Sequence, residues 1–267
     1  MPEDLASGEI YSDEPVVLAP LARSTTKNTN KAIKFQDLKA RCENCSLKDL
    51  CLPRSLNIEE LEKLDRVVRT EKINSKNKII FKQGESSGSI FAVKSGSIKT
   101  FTTARNGDEQ ILGFHLAGEL IGLDGLDNMI HSCSASTLEP TSICELPIKD
   151  LNVLCVKMPG LQRQLMNLIS NIISSDHEML LMMAKCNSEQ KFSRFIISLT
   201  KRYVERKINP DQHKLVMTRY DIGNYIGVSK ETISRMIKKF SEENVVSIKK
   251  NIIHIIDNKK LYEIANI

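Results

Sequence analysis

Apolar positions change their spacing along this chain, and each change predicts a different element. From Ser55 to Val68, "SLNIEELEKLDRVV" carries apolar residues at intervals of three and four. Asn57 precedes them and Glu60 follows three positions on, a capping-box signature that predicts a short helix. From Ile73 to about Ile148 the texture shortens to runs rich in β-branched and aromatic residues: "KIIFKQG", "SIFAVKSGSIKTFTT", "QILGFHLAG" and "TSICELPI". Glycines at 84, 88, 96, 107, 113, 118 and 122 punctuate these runs. The pattern predicts a small antiparallel β-barrel or roll.

Helical spacing then returns and lasts. A helix beginning near Lys149 or Pro159 and running towards Cys186 contains "LQRQLMNLISNIISSDHEMLLMMAKC". Its apolar stripe covers more than one face. One face can pack on its own chain, as a plain core helix would. The rest predicts a parallel coiled coil with a second copy, a homodimer seam of Leu165, Ile169, Ile172, Ile173, Met179 and Leu180. Asp176 falls on or near that seam. Two like charges about 4 Å apart repel by roughly 4 kcal/mol at an effective dielectric near 20, so the seam predicts a dimer poised to dissociate.

The last segment, "MTRYDIGNYIGVSKETISRMIKKFSEENVVSIKKNIIHIID", predicts two short helices and a strand-turn-strand. Thr218 caps the first helix, with Ile222, Tyr225 and Ile226 inward, and Gly227 allows the tight turn. Ser229 caps the second, Lys230 to about Glu242, whose buried face is Ile233, Met236, Ile237 and Phe240. The pattern is that of a winged helix-turn-helix. The first turn of the second helix offers Lys230, Glu231, Ser234 and Arg235 to base edges of double-stranded DNA, since Arg can pair with guanine and Glu with cytosine. Lys238, Lys239, Lys249 and Lys250 are placed to meet phosphates. The fold class expected is α+β: an N-terminal antiparallel β-roll, a long dimerisation helix and a C-terminal winged helix-turn-helix.

Composition narrows the class. The 267 residues suit two domains, and 41% hydrophobic with 27% charged residues is ordinary for a soluble globular chain. No apolar run reaches the roughly 18 residues of a membrane span, and the acidic start "MPEDLASGEIYSDEPVV" does not read as a signal peptide, so a cytoplasmic protein with no membrane partner is expected. Residues 1–40, rich in Ser, Thr, Asn and Lys, predict a disordered tail. A cysteine loop and sensor roll over 41–150, a dimerisation helix over 151–187 and a DNA-binding domain over 188–267 complete the expected division. The net charge of +5 says less than its distribution, because "KRYVERK", "RMIKKF" and "IKK" crowd the C-terminal third. No phosphate-cradling glycine loop, H-E-x-x-H or triad points to an enzyme.

Seven cysteines, an odd number in a chain expected to be cytosolic, argue against a disulfide framework. Three of them, Cys42, Cys45 and Cys51, fall in "RCENCSLKDLC", where two thiols three residues apart can serve one metal group. A fourth must come from Cys133, Cys144, Cys155 or Cys186, the last two in apolar helical surroundings. Four thiolates suit an iron-sulfur cluster or a tetrahedral zinc, and the residues leave both open.

The order of roll, long helix and winged helix-turn-helix resembles the cAMP receptor protein family from roughly Cys42 onward. Within it, "GDEQILGFHLAGELIG", "CELP" and "DIGNYIGVSKETISR" resemble the FNR subfamily, the fumarate and nitrate reduction regulators. The resemblance implies an oxygen-responsive transcription regulator whose [4Fe-4S] cluster is held by Cys42, Cys45, Cys51 and Cys144. It also implies that the loop around Gly107 and Asp108, physically an exposed turn, touches RNA polymerase. Two departures stand out. The Arg-Ser pair that holds a cyclic phosphate in nucleotide-binding relatives reads His131-Ser132 here, which leaves Glu119 as a remnant and predicts no cAMP binding. Lys230 stands where the subfamily carries an apolar residue, so the outermost base preference is open.

Overall fold

The computed structural model describes residues 38–39 and 42–267. The tail expected over residues 1–40 lies outside the described residues, except that Leu38–Lys39 form a strand, β1, contrary to the expectation of disorder there. The first helix, α1 (Ile58–Val67), starts where its signals lie: Asn57 accepts from the Glu60 amide at 3.0 Å and the Glu60 carboxylate accepts from the Asn57 amide.

The roll comprises β2 (Arg69–Ile73), β3 (Ile79–Phe81), β4 (Ser89–Ser95), β5 (Ser97–Thr103), β6 (Glu109–Leu116), β7 (Leu120–Ile121), β8 (Ser134–Thr137) and β9 (Thr141–Pro147). They form two antiparallel sheets, in the orders β1-β2-β9-β4-β7 and β3-β8-β5-β6. In the first sheet β9 is central, so Cys144 pairs with Thr70 on one side and Ala92 on the other. Ile73, Phe81, Val93, Ile98 and Ile143 fill the space between the sheets.

Two helices follow where the spacing predicts one: α2 (Ile148–Lys157) and α3 (Pro159–Lys185). Met158, outside helical geometry at φ −133° and ψ 82°, separates them, and Pro159 opens α3 at the position where a missing N–H costs nothing. α2 and the start of α3 close a second core with α1, through Leu64, Leu151, Leu154, Leu161 and Leu165. The C-terminal module holds α4 (Ser188–Glu205), β10 (Gln212–Lys214), α5 (Arg219–Ile226), α6 (Lys230–Glu242), β11 (Val246–Lys249), β12 (Ile252–Ile255) and α7 (Asn258–Ala265). Among the described residues no helix is long and apolar enough to cross a membrane.

The module packs on the roll. Phe114 of β6 meets Tyr225 and Phe195 edge-on, at ring separations of 5.0 and 6.1 Å. Asn224 treats the edge of β6 as another strand would, accepting from the Ile111 amide at 2.6 Å and donating to the Glu109 carbonyl at 2.7 Å. Lys99 lies 3.4 Å from Asp221, whose carboxylate also caps α5. Strand edges seek partners, and here the partner is a helix side chain.

Candidate functional site

Residues 42–56 run as a succession of tight turns. Cys45, Lys48, Leu50 and Arg54 each donate an amide to the carbonyl three residues earlier. The turns are pinned at both ends: the Cys42 amide donates to Asp65 at 2.7 Å, and the Gln164 side chain donates to the Cys51 carbonyl at 3.2 Å. The consequence is that Cys42, Cys45, Cys51 and Cys144 line one cavity of about 50 Å³, walled by apolar side chains including Leu52, Leu64 and Leu146. Cys133 belongs to the core between the sheets, with its thiol 3.6 Å from Asp124, and Cys155, in α2, packs against the core that α2 shares with α1 and α3.

Burial pushes the Cys51 thiol up to about 12, against the pull of the Leu52 backbone. Burial, then the Asp65 carboxylate, raises Cys42 further, and burial raises Cys144 despite a hydrogen bond from Thr70. Four thiolates in so apolar a space need a positive group to carry their charge. Among the described residues no three His, Cys, Asp or Glu side chains stand close enough to hold a single ion. Four thiols around one apolar cavity are a donor set that suits an iron-sulfur group or a tetrahedral zinc.

One corner of the roll is closed by its own side chains. The Ser132 amide and hydroxyl and the Cys133 amide all donate to Asp124 Oδ2, at 2.7, 3.2 and 3.4 Å. All three donors are thereby spent on one carboxylate. Glu119, read from the sequence as a remnant, is fully engaged. Its Oε1 accepts from Arg202 Nε at 2.9 Å and Arg206 Nη2 at 2.6 Å, and its Oε2 accepts from Arg202 Nη2 and the Leu116 amide. Burial alone would raise the Glu119 carboxyl, but the two guanidinium groups outweigh it and hold the group below its ordinary value. Sequence reasoning missed this cluster because its members lie more than 80 residues apart.

On the nucleic-acid side, Thr218 and Ser229 cap α5 and α6 as their positions suggest. Gly227 turns between them at φ 68°, and Gly223 lets α5 approach the following turn. Lys230, Glu231 and Arg235 are exposed along the first turns of α6. Ser234 is half-buried, its hydroxyl donating to the Lys230 carbonyl at 3.0 Å, with Arg219 at 3.4 Å. Arg219, not singled out from sequence, flanks the same groove as Lys238. Lys249 and Lys250 sit exposed at the wing tip, whose left-handed Lys250 and Asn251 make a tight hairpin. Lys239 pairs at the surface with Glu189 at 2.6 Å, and Lys238 with Glu242 at 3.7 Å. Gly107 and Asp108 form the exposed tip between β5 and β6.

The α3 stripe is divided. Leu165 is buried in the chain's own core and Ile169 leans on it, while Met179 packs towards the C-terminal module. Ile172, Ile173 and Leu180 are 39%, 50% and 66% exposed, with Asp176 exposed among them. Among the described residues nothing covers this apolar row, and a row of this kind suits a second helix.

Comparison with known proteins agrees with both halves. Residues 73–157 match the cyclic nucleotide-binding domain family, and residues 190–264 match the Crp-like helix-turn-helix domain family. The fumarate and nitrate reduction regulatory protein of Yersinia pestis is 42% identical over 224 residues, 84% of this chain and 90% of its own length. The transcriptional activator protein anr of Pseudomonas aeruginosa is 40% identical, covering 88% of this chain and 97% of its own. Among solved structures, FixK2 from Bradyrhizobium japonicum shares the fold, with a TM-score of 0.68 at 20% identity over 74% of this chain and 97% of its own.

Proposed function

The chain belongs to the FNR subfamily of the Crp/Fnr transcription regulators, and on that premise we propose that it is an oxygen-responsive, dimeric regulator of promoters in the cytoplasm. The observation that carries the reading is the single apolar cavity lined by Cys42, Cys45, Cys51 and Cys144. These four residues would hold a [4Fe-4S] cluster, which supplies an oxidant-labile tie between the cysteine loop and β9.

The chain's own residues do the rest. The loop rests on α1 through Asp65 and on α3 through Gln164, so its position bears on the start of the long helix. Along that helix Ile172, Ile173 and Leu180, with Ile169 and Met179 at the margins, form the seam with a second copy, and Asp176 weakens it by like-charge repulsion. A dimer sets two α6 helices about one turn of DNA apart, as a palindromic site requires. Glu231, Ser234 and Arg235 read base edges there, with Lys230 beside them and Arg219, Lys238, Lys249 and Lys250 on phosphates. The Gly107-Asp108 tip is the surface offered to RNA polymerase.

Anaerobic purification followed by iron and acid-labile sulfide analysis tests this, with visible spectra before and after air and DNA binding in parallel. The expectation is a brown protein with about four irons per chain that bleaches in air and loses affinity for palindromic DNA. Cys144→Ser abolishes the colour and Cys133→Ser leaves it. A colourless zinc protein, or DNA affinity indifferent to air, would refute the reading.

A further inference from the structure

Between the cysteine loop and the DNA-binding module lies a three-residue turn, Ala117-Gly118-Glu119, that both sides touch. On the loop side there is no side chain: a Cβ built on Gly118 would stand 3.0 Å from Leu50 Cβ, and Gly118 is held at φ +94°. On the other side two guanidinium groups grip the backbone of the turn and of β6 before it, as well as the turn's charge. Arg206 Nε donates to the Ala117 carbonyl at 2.6 Å, Arg202 Nη2 donates to the Phe114 carbonyl, and both meet the Glu119 carboxylate. The turn hangs from β4, with Gly118 donating to Val93 at 2.7 Å and Val93 donating to Glu119 at 2.9 Å. A shift of Leu50 towards the turn would therefore press on backbone and not on a side chain, and that backbone carries Ala117 and Glu119.

From there the path is short. Arg202 lies in α4 and Arg206 at its end, and the same helix packs on α6 by Phe192 against Phe240, ring centres 5.6 Å apart, and by Glu189 against Lys239. We propose that Glu119 is a positioning residue for DNA binding: through Arg202 and Arg206 it makes the placement of α4, and with it α6, depend on the position of the cysteine loop. The link rests on the reading of that loop as the sensing element. It is a second connection, separate from the helix seam, and it uses the acid that the roll no longer needs for a ligand.

Amide hydrogen exchange of the metal-free chain tests the link without any cluster. Leu50→Gly removes both atoms that stand against the Gly118 position, Cβ and Cδ1. It should speed exchange in α4 by about tenfold, the change expected from loosening one charge-assisted hydrogen bond. In a Glu119→Gln background, where the charge is gone, Leu50→Gly should add nothing in α4. If Glu119→Gln does not fold, Arg206→Lys takes its place in the same cycle, since it keeps the charge and loses the fork of donors. Acceleration confined to the loop, or an equal acceleration in both backgrounds, overturns the proposal. In the iron-loaded protein, Glu119→Gln should keep its colour and its bleaching in air while the difference in DNA affinity before and after air shrinks. Failure of the wild type to take up iron would sink the sensing function instead and leave the exchange cycle readable.

Discussion

The same substitution, glycine to alanine, should have opposite signs in two helices of this protein. Gly223 lies in the middle of α5, where alanine ordinarily gains about 1 kcal/mol of helix stability. A methyl group there would stand 2.6 Å from the Val228 carbonyl oxygen and 3.4 Å from the Lys230 amide. Carbon and oxygen atoms settle at about 3.3 Å or more, so the overlap is roughly 0.7 Å. The carbonyl cannot step aside easily, because the Val228 amide is itself bonded to the Gly223 carbonyl at 2.9 Å and the Gly227 amide donates to the same atom. Overpacking of this kind costs about 1–3 kcal/mol or more, which leaves Gly223→Ala net destabilising by about 1 kcal/mol and pushes α6 away from α5. Gly160, near the start of α3, meets only Leu56 at 3.7 Å and the Ser55 carbonyl at 3.9 Å. Gly160→Ala should therefore stabilise, by about 0.5 kcal/mol. Urea unfolding gives the two signs and fluorescence anisotropy with a palindromic duplex gives the functional consequence, a loss of affinity for Gly223→Ala alone. Equal signs, or a Gly223→Ala protein that binds DNA like the wild type, would refute the account of the turn.

Four other outcomes follow from single groups. Asp176→Ala removes a repulsion of up to about 4 kcal/mol across the seam, so sedimentation in air should show a dimer where the parent is largely monomeric. Arg235→Ala should cost about 1–3 kcal/mol on a specific site and relax base preference. Lys249→Ala should weaken all sequences alike and lower the salt slope by about one. His115 is lowered to about 4 by burial, although the Glu119 charge opposes this. Between that value and the ordinary one near 6.5 the unfolded chain binds the extra proton, so stability rises with pH through this window and is lost as pH falls from about 6.5 towards 4. Urea midpoints at pH 7 and pH 4.5 should differ more in the wild type than in His115→Gln.

Local signals were the legible ones. Asn57, Thr218 and Ser229 cap helices because each is followed by the amide it needs within three residues. Strands β4, β5 and β9 were readable from short β-branched runs, whereas β8, "SAST", is buried on both faces and carries no alternation to detect. The break at Met158 hid inside a continuous apolar stripe, and α4 hid behind the basic run that ends it, although its buried face of Phe192, Phe195, Ile196 and Leu199 is helical in spacing. What no local pattern encodes is which distant groups meet, as Glu119 does with Arg202 and Arg206.

The choice between Cys133 and Cys144 shows how a site can depend on parity rather than proximity. Successive side chains of β9 point to opposite faces. Ile143 enters the core between the sheets with Val93 and Ile98, while Cys144 and Leu146 face the core shared with α1, α2 and the cysteine loop. Cys133 enters the same inner core as Ile143, so it lies on the wrong side of the sheet from Cys42, Cys45 and Cys51. The central place of β9 fixes this parity, since its register is held from both sides by β2 and β4. A slip of one residue would turn Cys144 inward and leave the loop's three thiols without a fourth. The roll thus holds Cys144 on the face that lines one cavity with Cys42, Cys45 and Cys51.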